Sequence, residues 1–234
     1  MSRNNEITVK GIILDARPQG EYGRRTLLLT DRLGKITAFA GSAAKSSSGI
    51  IGAVRPLTSA EFTIARGRSA WNIHTVKLID SFQELPLNPD TYAYAFYVLE
   101  LAGYFSAEGM DEHESRDLLN LMYVTLRALR GDYADASGAS GFITCIYELR
   151  ILVMQGEYTD TPVLSVQSEY YPLLDRITAF WAYVIRSPLS SLYRFSLSAD
   201  PVLRGGFNQA VEILFKNQVP HDFHSLQILH ITGL

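Results

Sequence analysis

The spacing of apolar residues changes once along this 234-residue chain. From Glu6 to Ile79, apolar and polar residues alternate in short runs, and Gly, Pro, Asp or Ser bounds each run. Such alternation indicates half-buried strands, and several short strands in close succession are typical of a small closed barrel or a sandwich. From Asp90 onward the period is about 3.6 residues, which predicts helices. The chain is therefore predicted to be an α+β protein with strands first and helices after them.

Five strands are predicted in the front part. Closure removes the exposed edges of so short a sheet, so a five-stranded OB-fold β-barrel fits best. The predicted domains are a barrel at residues 1–81 and an all-α helical bundle at residues 82–234. The strands are residues 7–13, 24–30, 35–40, 59–65 and 70–79, with a turn from Ala16 to Gly23 and a hairpin loop from Arg66 to Ser69.

Helix start and stop residues divide the rear part. Asn88 and Pro89 are suited to the N-cap and first position of a helix. Further helices are predicted at residues 112–130, 142–155, 171–186, 189–195 and 201–217, and a turn or short helix at residues 223–231. The stretch 41–57 is rich in small residues and is predicted to be a loop, with or without one helical turn, which either closes over a ligand or is a loose connection.

Composition limits the cellular setting and the partners. A single cysteine excludes an internal disulfide and favours a reducing compartment. With no apolar leader and no long apolar run, the prediction is a cytoplasmic protein without a membrane partner. Residues 1–80 carry 12 Lys and Arg against 6 Asp and Glu, a net +6, whereas residues 81–234 carry 9 against 18, a net −9. This asymmetry favours a polyanion partner for the front part, although surplus cations also serve solubility.

The usual catalytic patterns are absent from the sequence. There is no phosphate-binding glycine loop and no nucleophile elbow, so no enzyme activity is predicted. Cys145 lies in an apolar helical pattern and is interpreted as a buried hydrophobe. The histidines at 221, 224 and 230 lack cysteine or carboxylate partners at a zinc spacing, so no metal site is predicted.

A binding surface remains as the candidate site. OB barrels bind single-stranded nucleic acid on the face of strands two and three and on the loops joining strands 1–2 and 4–5. Several cations on one surface can follow a phosphate backbone. The candidates at those places, and in or near the 41–57 loop, are Arg17, Arg24, Arg25, Lys35, Lys45, Arg55, Arg66 and Arg68.

Three aromatic residues could stack on bases at this surface. Phe39 is interpreted as barrel packing. For Tyr22, in a glycine-flanked loop, packing and base stacking are equally open. Trp71, just after the predicted hairpin loop, is likewise open between strand packing and a base contact.

Short motifs along nearly the whole chain resemble one known family. They include the turn Arg17-Pro-Gln-Gly-Glu-Tyr22, the run Leu27-Leu-Leu-Thr30, Leu33-Gly-Lys-Ile36, Arg66-Gly-Arg68, Leu78-Ile-Asp-Ser-Phe82, Tyr147-Glu-Leu-Arg150 and Phe223-His-Ser-Leu226. This pattern resembles the bacterial recombination mediator family RecO.

The resemblance implies a function and a set of partners. It implies binding of single- and double-stranded DNA and annealing of complementary strands in DNA repair and recombination. It also implies partnership with RecR and with the C-terminal tail of the single-strand-binding protein, so that RecA is loaded indirectly, and hence association with the nucleoid. Two departures stand out. Many relatives carry a four-cysteine zinc element where residues 156–169 have no cysteine, and the loop after Gly41 offers Lys45 in place of several arginines.

Two hypotheses follow from these observations. The first is a non-enzymatic DNA-binding mediator without a cofactor, whose phosphate contacts come mainly from Arg17, Arg24, Arg25, Lys35, Arg66 and Arg68. The second is a protein-interaction adaptor that does not bind DNA directly, since OB barrels bind many kinds of ligand.

Overall fold

The computed structural model describes residues 6–21, 23–41, 50, 52–85, 89–131, 139–194 and 200–231. Five strands come first: β1 Glu6–Gln19, β2 Gly23–Thr30, β3 Lys35–Ala40, β4 Thr58–Arg66 and β5 Trp71–Ser81. In the described part of the chain, six α-helices follow these strands: α1 Pro89–Tyr104, α2 Glu112–Arg130, α3 Ala139–Gln155, α4 Leu174–Arg186, α5 Pro201–Gln218 and α6 His224–Ile231. The predicted α+β class is confirmed.

The five strands form a closed barrel in the order β1-β2-β3-β5-β4. The β3–β5 pair is parallel, and the other pairs are antiparallel. Alternate residues of each strand point inward and exclude water from a shared core, which includes Val9, Ile13, Leu28, Ile36, Phe62 and Ile64. The predicted five-stranded OB-fold barrel is confirmed.

The predicted turn from Ala16 to Gly23 is wrong. β1 continues to Gln19, and Ala16 pairs with Thr26 and Pro18 with Arg24 on β2. A β-bulge between Ile13 and Asp15 shifts the register and lets the longer strand stay paired, as bulges do. Among the described residues, only Gly20 and Glu21 have turn conformation at this hairpin, and Gly20 has the left-handed φ of +66° that favours glycine.

Packing divides the chain into two units. One comprises Met1–Pro86 and Leu99–Tyr123, and the other comprises Leu87–Val98 and Val124–Leu234. The barrel unit thus includes residues from the helical region, while the domain limits of 1–81 and 82–234 remain predictions.

Within the barrel unit, Ser115 of α2 is joined to the β2–β3 turn. Its hydroxyl donates to the carbonyl of Thr30 at 2.5 Å and accepts from the N–H of Gly34 at 3.0 Å. Ser115 is fully buried, so its hydroxyl, rather than solvent, supplies hydrogen bonds to both backbone groups. This contact fixes the β2–β3 turn on the start of α2.

The second unit is helical, and several predictions there need correction. α3 begins at Ala139 rather than at the predicted residue 142. α2 has the predicted bounds, but α4 begins at Leu174, because Tyr171–Leu173 forms a separate 3₁₀ turn containing Pro172. Residues 189–193 form turns rather than the predicted helix 189–195. Ser187 is extended, and the N–H groups of Ser191 and Arg194 bond three residues back, which closes turns but no α-helix. None of the described helices is both long and apolar enough to cross a membrane.

Candidate nucleic-acid interface

Three neighbouring strands carry a row of outward side chains. Arg17 on β1 lies directly opposite Arg25 on β2, and Arg25 lies opposite Phe39 on β3. The row continues to Asn72 on β5, which pairs with Phe39. Their sequence neighbours Thr26 and Ala38 are buried, so the row faces away from the core. We call Arg17, Arg25, Phe39 and Asn72 the outer row.

Two shallow depressions lie along the outer row. One of about 210 Å³ is lined by Asp15, Arg17, Arg25, Thr26, Leu27 and Thr37. The other, of about 300 Å³, is lined by Gln19, Gly23, Arg24, Phe39, Ala40 and Gly41. The structure thus brings Arg17, Arg25 and Phe39 to the outer face of β1–β2–β3. Arg24 pairs with the buried Ala40, so it points to the other side of the sheet and lines only the depression at the strand ends.

A second group of predicted residues lies at the β4–β5 hairpin. Arg66 pairs with Trp71, and its guanidinium lies over the indole ring, 5.1 Å from the ring centroid. Trp71 pairs with Ala38, immediately beside Phe39 of the outer row. Arg68 is exposed in the connecting loop. Arg66 and Arg68 therefore lie at the hairpin next to Asn72 of the outer row. The Arg66–Trp71 pair is on the opposite side of the sheet from that row, since Trp71 pairs with the buried Ala38.

Trp71 is packed against the barrel core and is partly buried. Its indole nitrogen is buried, and no hydrogen-bond partner is found for it in the described part of the chain. One face of its ring is covered by Arg66. Of the two interpretations left open by the sequence, the structure favours strand packing for Trp71.

Two predicted cations lie away from the outer row. Lys35 begins β3, four residues or about 13 Å before Phe39. Its amine donates to the carbonyl of Gly103, and burial lowers the pKa of Lys35. Arg55 precedes β4 at the Thr58 end, whereas Arg66 is the last residue of that strand. The expectation of one continuous cationic surface that includes Lys35 and Arg55 does not fit this placement.

Two other predicted site residues, Tyr22 and Lys45, lie outside the described residues. The sequence interpretation of Phe39 as barrel packing is only part of the picture, because Phe39 is partly buried but its ring lies on the outer face and lines a depression. The alternation of β3 already contained this information. Ile36, Ala38 and Ala40 are buried, so the ring between them must point the other way.

Metal and nucleophile chemistry find little support in the described residues. No group of three His, Cys, Asp or Glu side chains there could hold a metal ion. Burial raises the pKa of the Cys145 thiol well above its usual value and so disfavours the nucleophilic thiolate. The absence of a cofactor remains a prediction.

Comparisons with known proteins give matches to one protein family. Residues 1–82 match the family model described as recombination protein O N terminal. The chain is 33% identical to the DNA repair protein RecO of Desulforudis audaxviator over 147 residues. This aligned stretch covers 63% of this chain and 55% of the relative. By these matches the chain is similar to the RecO family. The RecO protein of a Dehalococcoides mccartyi strain is 30% identical over 156 residues, covering 67% of this chain and 58% of the relative.

The RecO matches extend over part of the relatives only. The RecO protein of Clostridium novyi is 36% identical over 92 residues, which is 39% of this chain and 36% of the relative. The chain thus spans about half the length of the curated RecO proteins that it matches. The family model itself ends with the barrel, so it covers the outer row and the Arg66–Trp71 pair.

Proposed function

We propose that this chain is a non-enzymatic DNA repair and recombination mediator whose β1–β2–β3 face binds single-stranded DNA. The observation that carries the proposal is the outer row, in which two arginines and a phenylalanine occupy directly opposed positions on three strands. The RecO family match supports the same function, since the matched relatives are named DNA repair proteins.

The proposed contacts divide between phosphates and bases. Arg17, Arg24 and Arg25 bind phosphates, because guanidinium groups pair well with phosphate oxygens and need no particular base. Phe39 stacks on a base, which any of the four bases permits. Arg66 and Arg68 extend the phosphate track along the adjoining hairpin. Binding of this kind depends on charge and stacking and is independent of sequence.

Annealing follows from the same surface without bond chemistry. Two complementary strands held against clustered arginines repel each other less, and each raises the local concentration of the other. Binding of double-stranded DNA through phosphates is part of the proposal. So are the partnerships with RecR and the single-strand-binding protein's tail, through which RecA is loaded. Their support is the RecO family match.

The test is DNA binding by the full chain, measured by fluorescence anisotropy at low salt. The probe is a labelled oligothymidine of about 30 nucleotides, longer than one OB-fold site. The variant Arg17→Ala/Arg25→Ala should bind at least tenfold more weakly than wild type. The control Arg116→Ala removes an exposed cation of α2 that is paired with Glu112, and it should bind like wild type.

Either of two results would overturn the proposal. Wild-type protein that leaves the probe unbound at low salt would instead support the adaptor function. A double variant that binds as tightly as wild type would show that DNA uses another surface. An annealing assay with complementary oligonucleotides coated by single-strand-binding protein then tests the mediator activity.

A further inference from the structure

Two of the proposed phosphate-binding arginines form ion pairs with carboxylates of the same chain. Arg17 Nε lies 2.8 Å from Asp15 Oδ2, and Arg66 Nη1 lies 2.8 Å from Glu108 Oε1. We propose that Asp15 and Glu108 occupy phosphate positions on this surface, so that DNA must displace them and binds more weakly and reversibly as a result. This inference rests on the proposed function and concerns the regulation of the same site.

Asp15 is placed within the binding face itself. It follows the β-bulge of β1 and lies two residues before Arg17, so both side chains point outward. The residue opposite Asp15 is Leu27, which is apolar. Asp15 lines the same depression as Arg17 and Arg25, and its carboxylate already pairs with the Arg17 guanidinium there.

Glu108 reaches the surface from outside the barrel strands. Its backbone forms a β-bridge with Gly34, and the flanking groups are fixed too. The N–H of Gly109 donates to the carbonyl of Leu33 at 3.1 Å, and the N–H of Lys35 donates to the carbonyl of Ala107 at 3.0 Å. The segment is therefore held on the β2–β3 turn, and the contact with Arg66 is part of the folded barrel unit.

Arg66 is oriented by two partners at once. Its guanidinium lies over the ring of Trp71 and donates to Glu108. A guanidinium can stack on a ring through its face while its N–H groups remain directed outward in its plane. The Glu108 carboxylate thus occupies the side of the guanidinium from which a phosphate would approach. Exchange of this carboxylate for a phosphate would leave the stacking of Arg66 on Trp71 intact.

Both ion pairs are open to solvent and can exchange. The side chains of Arg17 and Asp15 are 76% and 46% exposed, and those of Arg66 and Glu108 are 54% and 60% exposed. Exposed pairs contribute little to stability, so a phosphate can replace the carboxylate at small cost. A displaced carboxylate then attracts a cation from solution, which offsets one counterion released from the DNA. Each carboxylate therefore lowers both the affinity and its salt dependence.

The experiment uses the full chain, the same oligothymidine and a series of salt concentrations. Asp15→Asn and Glu108→Gln should each tighten binding about two- to fivefold, the range expected for the loss of one exposed ion pair. Each should also steepen the slope of log K against log salt by about 0.7. The control Glu61→Gln removes one acidic charge from β4, where Glu61 lies opposite Lys77, and should leave the slope unchanged. In the variant Arg66→Ala/Glu108→Gln, the gain should disappear.

The outcomes separate this inference from the proposed function. Absence of wild-type binding would refute the proposed function. Normal wild-type binding, with Asp15→Asn and Glu108→Gln no tighter than Glu61→Gln, would refute the inference alone. Asp15 and Glu108 lie in different segments of the chain. If one of the variants Asp15→Asn and Glu108→Gln perturbs folding, the other still tests whether a carboxylate competes with phosphate.

Discussion

The hydroxyl of Tyr97 on α1 donates a hydrogen bond to the Glu148 carboxylate on α3, across 2.6 Å in the interior of the helical unit. Burial raises the pKa of Glu148 to about 7, even though hydrogen bonds from Tyr97 and Cys145 act in the opposite direction. Glu212 on α5 adds a small repulsion that also raises this pKa. The helical unit thus contains a carboxyl group that is half-protonated near neutral pH.

This buried carboxyl predicts a pH-dependent stability. Since the pKa of Glu148 is higher in the folded than in the unfolded chain, the folded protein holds more protons between about pH 4.5 and 7. Its contribution to the free energy of unfolding therefore falls as pH rises through that window and is constant above it. Glu148→Gln removes this dependence. In urea unfolding, the free energy of unfolding of the variant relative to that of wild type should therefore rise by about 2 to 3 kcal/mol between pH 4.5 and pH 8.

A second variant checks that the Tyr97 hydrogen bond has the assigned role. Tyr97→Phe removes a bond to the ionised carboxylate, so its cost should be greater at pH 8 than at pH 5. Parallel pH profiles for wild type and Glu148→Gln would contradict the assignment of a raised pKa.

Gly34 allows a close backbone approach in the barrel unit. Its φ is +70°, and a Cβ there would lie 2.0 Å from the carbonyl oxygen of Ala107. Gly34→Ala should therefore destabilise the protein by about 3 kcal/mol or more, because a backbone segment must move. Gly20 is the matched control, with a φ of +66° and open space around it, so Gly20→Ala should cost only about 1 kcal/mol. Equal losses in urea unfolding would show that the close contact is unimportant.

Phe39 is predicted to stack on a base. Phe39→Leu keeps an apolar side chain but removes the flat ring, so affinity for the oligothymidine should fall at least fivefold. Phe39→Trp retains a ring and should bind as well as wild type or better. Equal weakening by both variants, without loss of stability, would indicate a packing role only.

The sequence predicted the barrel because the alternation of its strands is a local pattern. It failed at residues 16–23, where Pro18 and Gly20 look like turn residues but β1 continues after a bulge. That bulge depends on pairing with β2, which local spacing does not reveal. The strand register, once known, places Arg17, Arg25 and Phe39 side by side.

Contacts between distant segments could not be predicted from the sequence. Glu108 reaches Arg66 from 42 residues away in the chain. The charge of Lys35 likewise suggested a DNA contact, but its amine donates a hydrogen bond to the carbonyl of Gly103, a distant residue in the sequence. In both cases the partner is brought near by tertiary packing, which composition and periodicity do not describe.

The central claim is that arginines of the β1–β2–β3 face and the adjoining hairpin bind the phosphates of single-stranded DNA. The most direct test is the salt dependence of wild-type binding to oligothymidine. If Arg17, Arg24, Arg25, Arg66 and Arg68 all engage phosphates, log K against log salt should have a slope of about −3.5, reduced to about −2 by the two carboxylates. In the variant Asp15→Asn/Glu108→Gln the slope should approach the full value, whereas a slope near zero in both proteins would contradict the account.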